Sequence, residues 1–191
     1  MQCALCRDKE CLKGKNCSVI KSGINYRGAE LKSLQAAAWI EAEPLKNTKL
    51  EEIAIYAKNM GYKKIGIAFC IEYEREAKLV YEVLSKYFEV FSVCCKVCGF
   101  DKAKFGLKKS EQPDKNEKCK GHENSKSSGF EAACNPIGQA LLLNDDGTDL
   151  NIMLELKTGY DILFAAHSEA PSIALSLKGI PAFKGIIDSI E

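Results

Sequence analysis

Residues 63–98 read KKIGIAFCIEYEREAKLVYEVLSKYFEVFSVCCKVC, and this stretch decides the fold. A short apolar run, Ile65–Phe69, ends at Cys70. A charged amphipathic segment follows, and a second apolar run, Val90–Val93, ends at Cys94 and Cys95. The pattern is strand, helix, strand, with a thiol at the end of each strand. Short and almost wholly apolar strands belong to a parallel sheet covered on both faces. A helical crossover returns the chain so that both strands point the same way. Cys70 and Cys94/Cys95 are therefore expected together at the carboxyl edge, where open α/β sheets bind their ligands.

Working outward, helical spacing predicts a helix from Ala29 to Glu43, with Leu31, Leu34, Ala38 and Trp39 toward the core and Pro44 as its stop. Thr48 followed by Glu51 reads as a capping box. Leu50, Ile53, Ala54, Ala57 and Met60 form the apolar stripe of the next helix, and Gly61 ends it. The helix between the two strands is expected over Glu72–Tyr87, burying Ala77, Val80, Tyr81 and Leu84, with Glu72, Glu74, Arg75, Glu76 and Lys78 as a solvated face. Asn135 and Pro136 suit the cap and first turn of a further helix with Ile137, Ala140, Leu141 and Leu143 inward. Leu150–Leu156 reads as a third strand, Gly159–His167 as a short helix and Ser172–Leu177 as a fourth strand. Lone His167 reads as a surface or packing residue. The expected fold is α/β: a mostly parallel sheet of about four strands with helices on both faces. Residues 29–191 form this body, interrupted by a polar insertion at about residues 99–129. Residues 1–28 form a small N-terminal cysteine-rich metal-binding knob.

The ten cysteines carry the chemistry. Disulfide frameworks belong to small secreted scaffolds, and these 191 residues show no apolar signal core, so a cytoplasmic location is expected. No apolar run has the length of a membrane span. With 27 Lys+Arg against 26 Asp+Glu, the balance argues against a nucleic-acid surface as the main business. Cys3, Cys6, Cys11 and Cys17 give C-x2-C-x4-C-x5-C, a local set able to close around one tetrahedral ion; the bland alternative is four unrelated thiols on a tail. The spacing suits zinc or an iron–sulfur cluster and leaves the choice open. In the body, Cys70, Cys95 and Cys134 are expected at one sheet edge, with Cys94 or Cys98 as further donors. Cys134 at a helix N-terminus would feel the dipole and favour thiolate. Cys95-x2-Cys98 with Cys119-x2-His122 gives a third candidate site in the insertion, with a mobile loop as the alternative. Four residues between Cys70 and Arg75, and no glycine cradle, exclude a phosphatase loop. Dinucleotide and P-loop fingerprints are absent as well.

The motifs CALC at the head, MGYKKIGIAFC at 60–70, SVCCKV at 92–97, CNPIGQALLLN at 134–144 and TDLNI at 148–152 carry a resemblance. The chain resembles an uncharacterised prokaryotic family described as predicted metal-binding proteins, a cysteine-rich numbered domain of unknown function. The resemblance implies metal binding at Cys3, Cys6, Cys11 and Cys17 and at Cys70, Cys95 and Cys134, and it supplies no substrate. Chains of this kind carry a pattern like Gly-Leu-Cys-Val-Gly-His-Asp after the third strand. Here Glu155-Leu156-Lys157-Thr158-Gly159-Tyr160-Asp161 stands instead, so Lys157 and Tyr160 occupy the places of two donors. Lys157 is then expected to pair with a neighbouring thiolate and lower its pKa, and the body site either to take Cys94 or Cys98 in place of the missing donor or to be a reactive thiol cluster that holds metal weakly or not at all. The function expected is metal binding through thiolates, without an assigned reaction or protein partner. The alternative is a thiol or iron–sulfur redox enzyme or electron carrier built on the same edge.

Overall fold

The computed structural model describes residues 2–17, 26–42, 48–107 and 130–176. Four parallel strands, β1 (Lys64–Phe69), β2 (Glu89–Cys94), β3 (Leu150–Leu154) and β4 (Ser172–Leu175), form one sheet in the order β2-β1-β3-β4. The registers pair Phe69 with Cys94 and with Leu154, and Leu154 with Leu175, so all four strands end level at the carboxyl edge.

Among the described residues, five α-helices lie between or before the strands: α1 (Gly28–Ala42), α2 (Lys49–Met60), α3 (Glu74–Leu84), α4 (Pro136–Asp145) and α5 (Tyr160–His167). Side chains alternate across the sheet, and the two faces are covered separately. Ile65, Ile67, Ile152 and Leu154 meet Leu50, Ile53, Ala57, Ala77, Val80 and Leu84 of α2 and α3. Ala68 meets Ala140, Leu143 and Phe164 of α4 and α5, with Phe91, Val93 and Met153 packed alongside. The chain leaves β1 through α3 on the first face to reach β2. It returns through α4 on the second face to β3, on the other side of β1. The connections from β1 and β3 thus diverge, and that divergence is the switch point at which such sheets open a crevice.

The expected capping box is present: Thr48 accepts from the Glu51 amide, the Glu51 carboxylate accepts from the Thr48 amide, and Gly61 ends α2 at φ 78°. The amino edge is tied by polar side chains. Asn151 is fully buried on β3, its Oδ1 accepting from Thr148 Oγ1 at 2.8 Å and its Nδ2 donating to Ser168 Oγ at 2.8 Å. Asp149 accepts from the amides of Lys63 and Lys64 at 2.7 and 2.9 Å.

Several expected core residues sit outside it. In α1 only Ala36 is buried, while Leu31, Leu34 and Trp39 are exposed and Ala38 faces solvent too. The helix meets α2 through polar contacts instead, Ser33 Oγ with Tyr56 Oη at 2.6 Å and Lys32 Nζ donating to Met60 O at 2.6 Å. Tyr81 and Leu141 are likewise exposed, because α3 and α4 each lie on one sheet face and the third apolar row points away from it. Expected bounds also shorten: α3 begins at Glu74 after a 3-10 turn at Ile71–Tyr73, and β3 and β4 end at Leu154 and Leu175. Pro44 lies outside the described residues. The ends of the insertion are drawn together where Asp101 bridges Ala132, Lys102 pairs with Glu131, and the Ala133 amide donates to Phe100 O at 2.7 Å. No described helix is long and apolar enough to cross a membrane.

Candidate functional site

The ends of β1 and β2 each deliver a thiol for a local reason. β1 stops at Phe69, and Cys70 (φ −75°, ψ 132°) is the hinge into the 3-10 turn before α3, its amide still held by Leu154 O at 3.2 Å. Beyond β2, the Cys95 amide donates to Phe69 O at 2.9 Å, which extends the β1–β2 ladder by one step and sets Cys95 beside Cys70. Cys134 arrives from the far side of the insertion. The Asn135 amide donates to Cys95 O at 2.7 Å, Asn135 Nδ2 donates to Val97 O at 3.4 Å, and Asn135 Oδ1 caps α4 by accepting from Gly138 N at 2.9 Å. Asn135 therefore fixes the start of α4 and the position of Cys134 together.

The three sulfurs influence one another in the order Cys70–Cys95–Cys134, with Cys95 between the other two. Cys70 and Cys95 are buried, and Cys134 is partly open to solvent. The hydrogen bond from Cys95, helped by the backbone at Glu72, draws the Cys70 thiol down to about 7 against the penalty of burial. Cys134 falls to about 6, first through Cys95 and then through the ammonium of Lys96, whose Nζ lies 3.5 Å from its Sγ. Cys95 is pushed up because its one proton is drawn toward Cys134 first and Cys70 second, and because it is buried. One proton thus stays on the central sulfur while the flanking sulfurs lean toward thiolate. The Ile71 amide, 3.4 Å from Cys95 Sγ, is the compensating donor.

The other expected donors are placed as follows. Cys94 ends β2 and is half-buried; successive strand residues face opposite ways, so it does not share the aim of Cys95. Cys98 is exposed, at φ 68° in a tight turn. Cys119 and His122 lie outside the described residues. Cys3, Cys6, Cys11 and Cys17 are exposed, on and around 3-10 turns at Cys3–Leu5 and Glu10–Lys13. All nine described cysteines are free thiols. Among the described residues, no group of three or more His, Cys, Asp and Glu side chains stands in the arrangement of a finished metal site. In donor chemistry the three body sulfurs fit a thiophilic ion, since soft thiolates suit zinc and iron–sulfur clusters. His167 is exposed, with Nδ1 2.9 Å from Leu163 O of its own helix. Lys157 is exposed and paired with Glu72 at 3.5 Å rather than bonded to a thiol. Its charge still reaches the site: it helps lower Cys70, and Glu72 first, then Cys70 and Cys134, hold its ammonium on.

Three residues of the site escaped the sequence reading. Glu72 counted as part of a solvated face, yet it partners Lys157 beside Cys70. Lys96, between Cys95 and Cys98, donates to Ala132 O at 2.8 Å as well as approaching Cys134; its place inside a cysteine run was the available signal. Gln139 is fully buried on α4 and donates from Nε2 to Phe69 O at 3.2 Å and Val93 O at 2.8 Å. It clamps β1 and β2 one residue before their cysteines. Its signal was an amide in a helical stripe shared with Ala140 and Leu143. Gln139→Leu leaves Val93 O without this donor but also removes the buried Gln139 Oε1, which has no partner among the described residues, so unfolding stability should fall by only about 1 kcal/mol. A urea midpoint unchanged from the wild type would show that the clamp carries nothing.

Residues 11–175 match the model of a family described as "Protein of unknown function (DUF1847)". An uncharacterized protein of Methanocaldococcus jannaschii, MJ0455, is 47% identical over 183 residues, covering 93% of this chain and 87% of the relative. No solved structure matches the chain. With a match over most of its length and a relative this similar, the chain belongs to the DUF1847 family of proteins of unknown function.

Proposed function

We propose that this protein binds a thiophilic metal, zinc or an iron–sulfur cluster, through cysteine thiolates. The body ligands are Cys70, Cys95 and Cys134, and the head set is Cys3, Cys6, Cys11 and Cys17. One observation carries the reading: three thiols from segments far apart in sequence meet at the carboxyl edge, two of them drawn toward thiolate around one shared proton. Thiolates are the form that ligates, and a metal cation displaces such a proton on binding. The Cys95 proton occupies the place in the chain of sulfurs where positive charge is most favoured. Lys96 and Lys157 temper the site's negative charge, as a site of three thiolates with one divalent ion would require. At the head, the four cysteines fall within fifteen positions and need no core to meet.

Elemental analysis with visible absorption on anaerobically purified protein tests the reading: zinc is colourless and an iron–sulfur cluster is brown. The two places separate by truncation. A peptide of residues 1–28 is expected to hold one ion or reconstitute a cluster, because its donors are local. Protein lacking those residues is expected to keep a stoichiometric body ion through dialysis against a mild chelator despite Lys157. A metal-free truncated protein would sink the body site, and a peptide without zinc affinity or cluster would sink the head site.

A further inference from the structure

We infer that Gln139 is the positioning residue of the body thiols: one buried side chain ties together the three segments on which Cys70, Cys95 and Cys134 stand. Its Nε2 donates to Phe69 O at 3.2 Å, one residue before Cys70, and to Val93 O at 2.8 Å, two residues before Cys95. Its own amide donates to Asn135 O at 3.0 Å, one residue after Cys134. Phe69 O also accepts from the Cys95 amide at 2.9 Å. The carbonyl that aligns Cys95 with Cys70 is therefore the one that Gln139 pins. No sulfur takes part in any of these bonds.

Packing alone does not call for an amide at this place. Gln139 is fully buried on the helix whose Ala140 and Leu143 cover the second sheet face. Its Oε1 is buried with no partner among the described residues. Burying a polar group without a partner costs stability, and methionine would fill a similar space without that cost. What the amide adds is a donor that reaches two strand ends at once. Element ends open locally at lower free energy than the core does, and the thiols stand just beyond such ends. Tying β1, β2 and α4 together there suppresses that opening. Hydrogen bonds that hold ligand-bearing groups in place carry about ten- to a hundredfold in metal affinity. The inference rests on the metal reading for what the thiols hold, and on the hydrogen bonds alone for where they stand.

Amide hydrogen exchange on the full chain after chelator dialysis, resolved by NMR, tests the positioning without a metal. Gln139→Met is expected to speed exchange at the Cys95 and Asn135 amides about tenfold beyond any change at Ile67 and Ala68, which lie in the middle of the central strand. Ile152→Val, a small core change on the other sheet face, should give no such excess. Gln139→Asn, one methylene short of both carbonyls, should show the same excess and serves where Gln139→Met does not fold. Equal changes at edge and mid-strand amides in the Gln139 variant, or the same edge excess in Ile152→Val, end the inference whatever the metal content. Cobalt(II) titrated into the full chain reads the consequence. The body's sulfur-to-cobalt absorption, taken as the difference between wild type and Cys95→Ser, should need about ten- to a hundredfold more cobalt in Gln139→Met. An unchanged cobalt affinity with that difference intact overturns the inference and leaves the metal reading in place. Coinciding wild-type and Cys95→Ser spectra sink the metal reading of the body, and the exchange rates then decide the positioning by themselves.

Discussion

Cys95→Ser is expected to strip the body of its metal while leaving the head loaded. Cys95 stands between the other two sulfurs, so its loss removes one proposed ligand and the group that acts on both of the remaining two. A serine hydroxyl at this place is a hard, protonated donor, and the site keeps two thiolates without a third. Body affinity should fall at least about a hundredfold, beyond the usual cost of disturbing an outer-shell partner. Elemental analysis after chelator dialysis reads this directly: the full chain should lose the body's share and retain the head's. Cys98→Ser, at an exposed turn outside the trio, should leave the body ion in place. Equal metal in Cys95→Ser and wild type would mean that the body thiols are not ligands.

Gly66→Ala is expected to strike the other edge of the sheet and to act on stability instead. A Cβ on Gly66 would lie 2.0 Å from Asn151 Oδ1 and 2.9 Å from Leu143 Cδ1. Asn151 is the register partner of Gly66 on β3, and its side chain crosses the space that a glycine leaves open. That amide is buried and bonded to both Thr148 and Ser168, so it has no free rotamer to retreat into. Overpacking plus a broken buried network should cost about 2 to 4 kcal/mol. The urea midpoint should fall with an unchanged slope. A variant as stable as the wild type would mean that Asn151 can repack. Body metal per folded molecule should stay as in the wild type, because the thiols gather at the opposite ends of the strands.

The alternation of short apolar runs with helical stripes sufficed for the α/β class, the parallel sheet and the thiols at the ends of β1 and β2. Those signals are local and periodic, and a parallel pair joined by a helix has few ways to close. The Thr48–Glu51 box and the Asn135–Pro136 start of α4 were legible for the same reason, since a cap is a contact between residues three apart. Burial was less legible. Leu31, Leu34, Trp39, Tyr81 and Leu141 fit an inward stripe by spacing, yet spacing does not say how wide a strip of helix its neighbours cover. Only the tertiary structure decided that β3 lies on the far side of β1 from β2, which sets Cys134 against Cys95 across an insertion. It alone decided that Cys95 is the central sulfur, that Lys96 lies against Cys134, that Glu72 takes up Lys157 and that Gln139 binds the two strand ends. The cysteines themselves were plain in the sequence. Which of them touch, and which proton they share, depends on contacts between residues tens of positions apart, and no local periodicity encodes those.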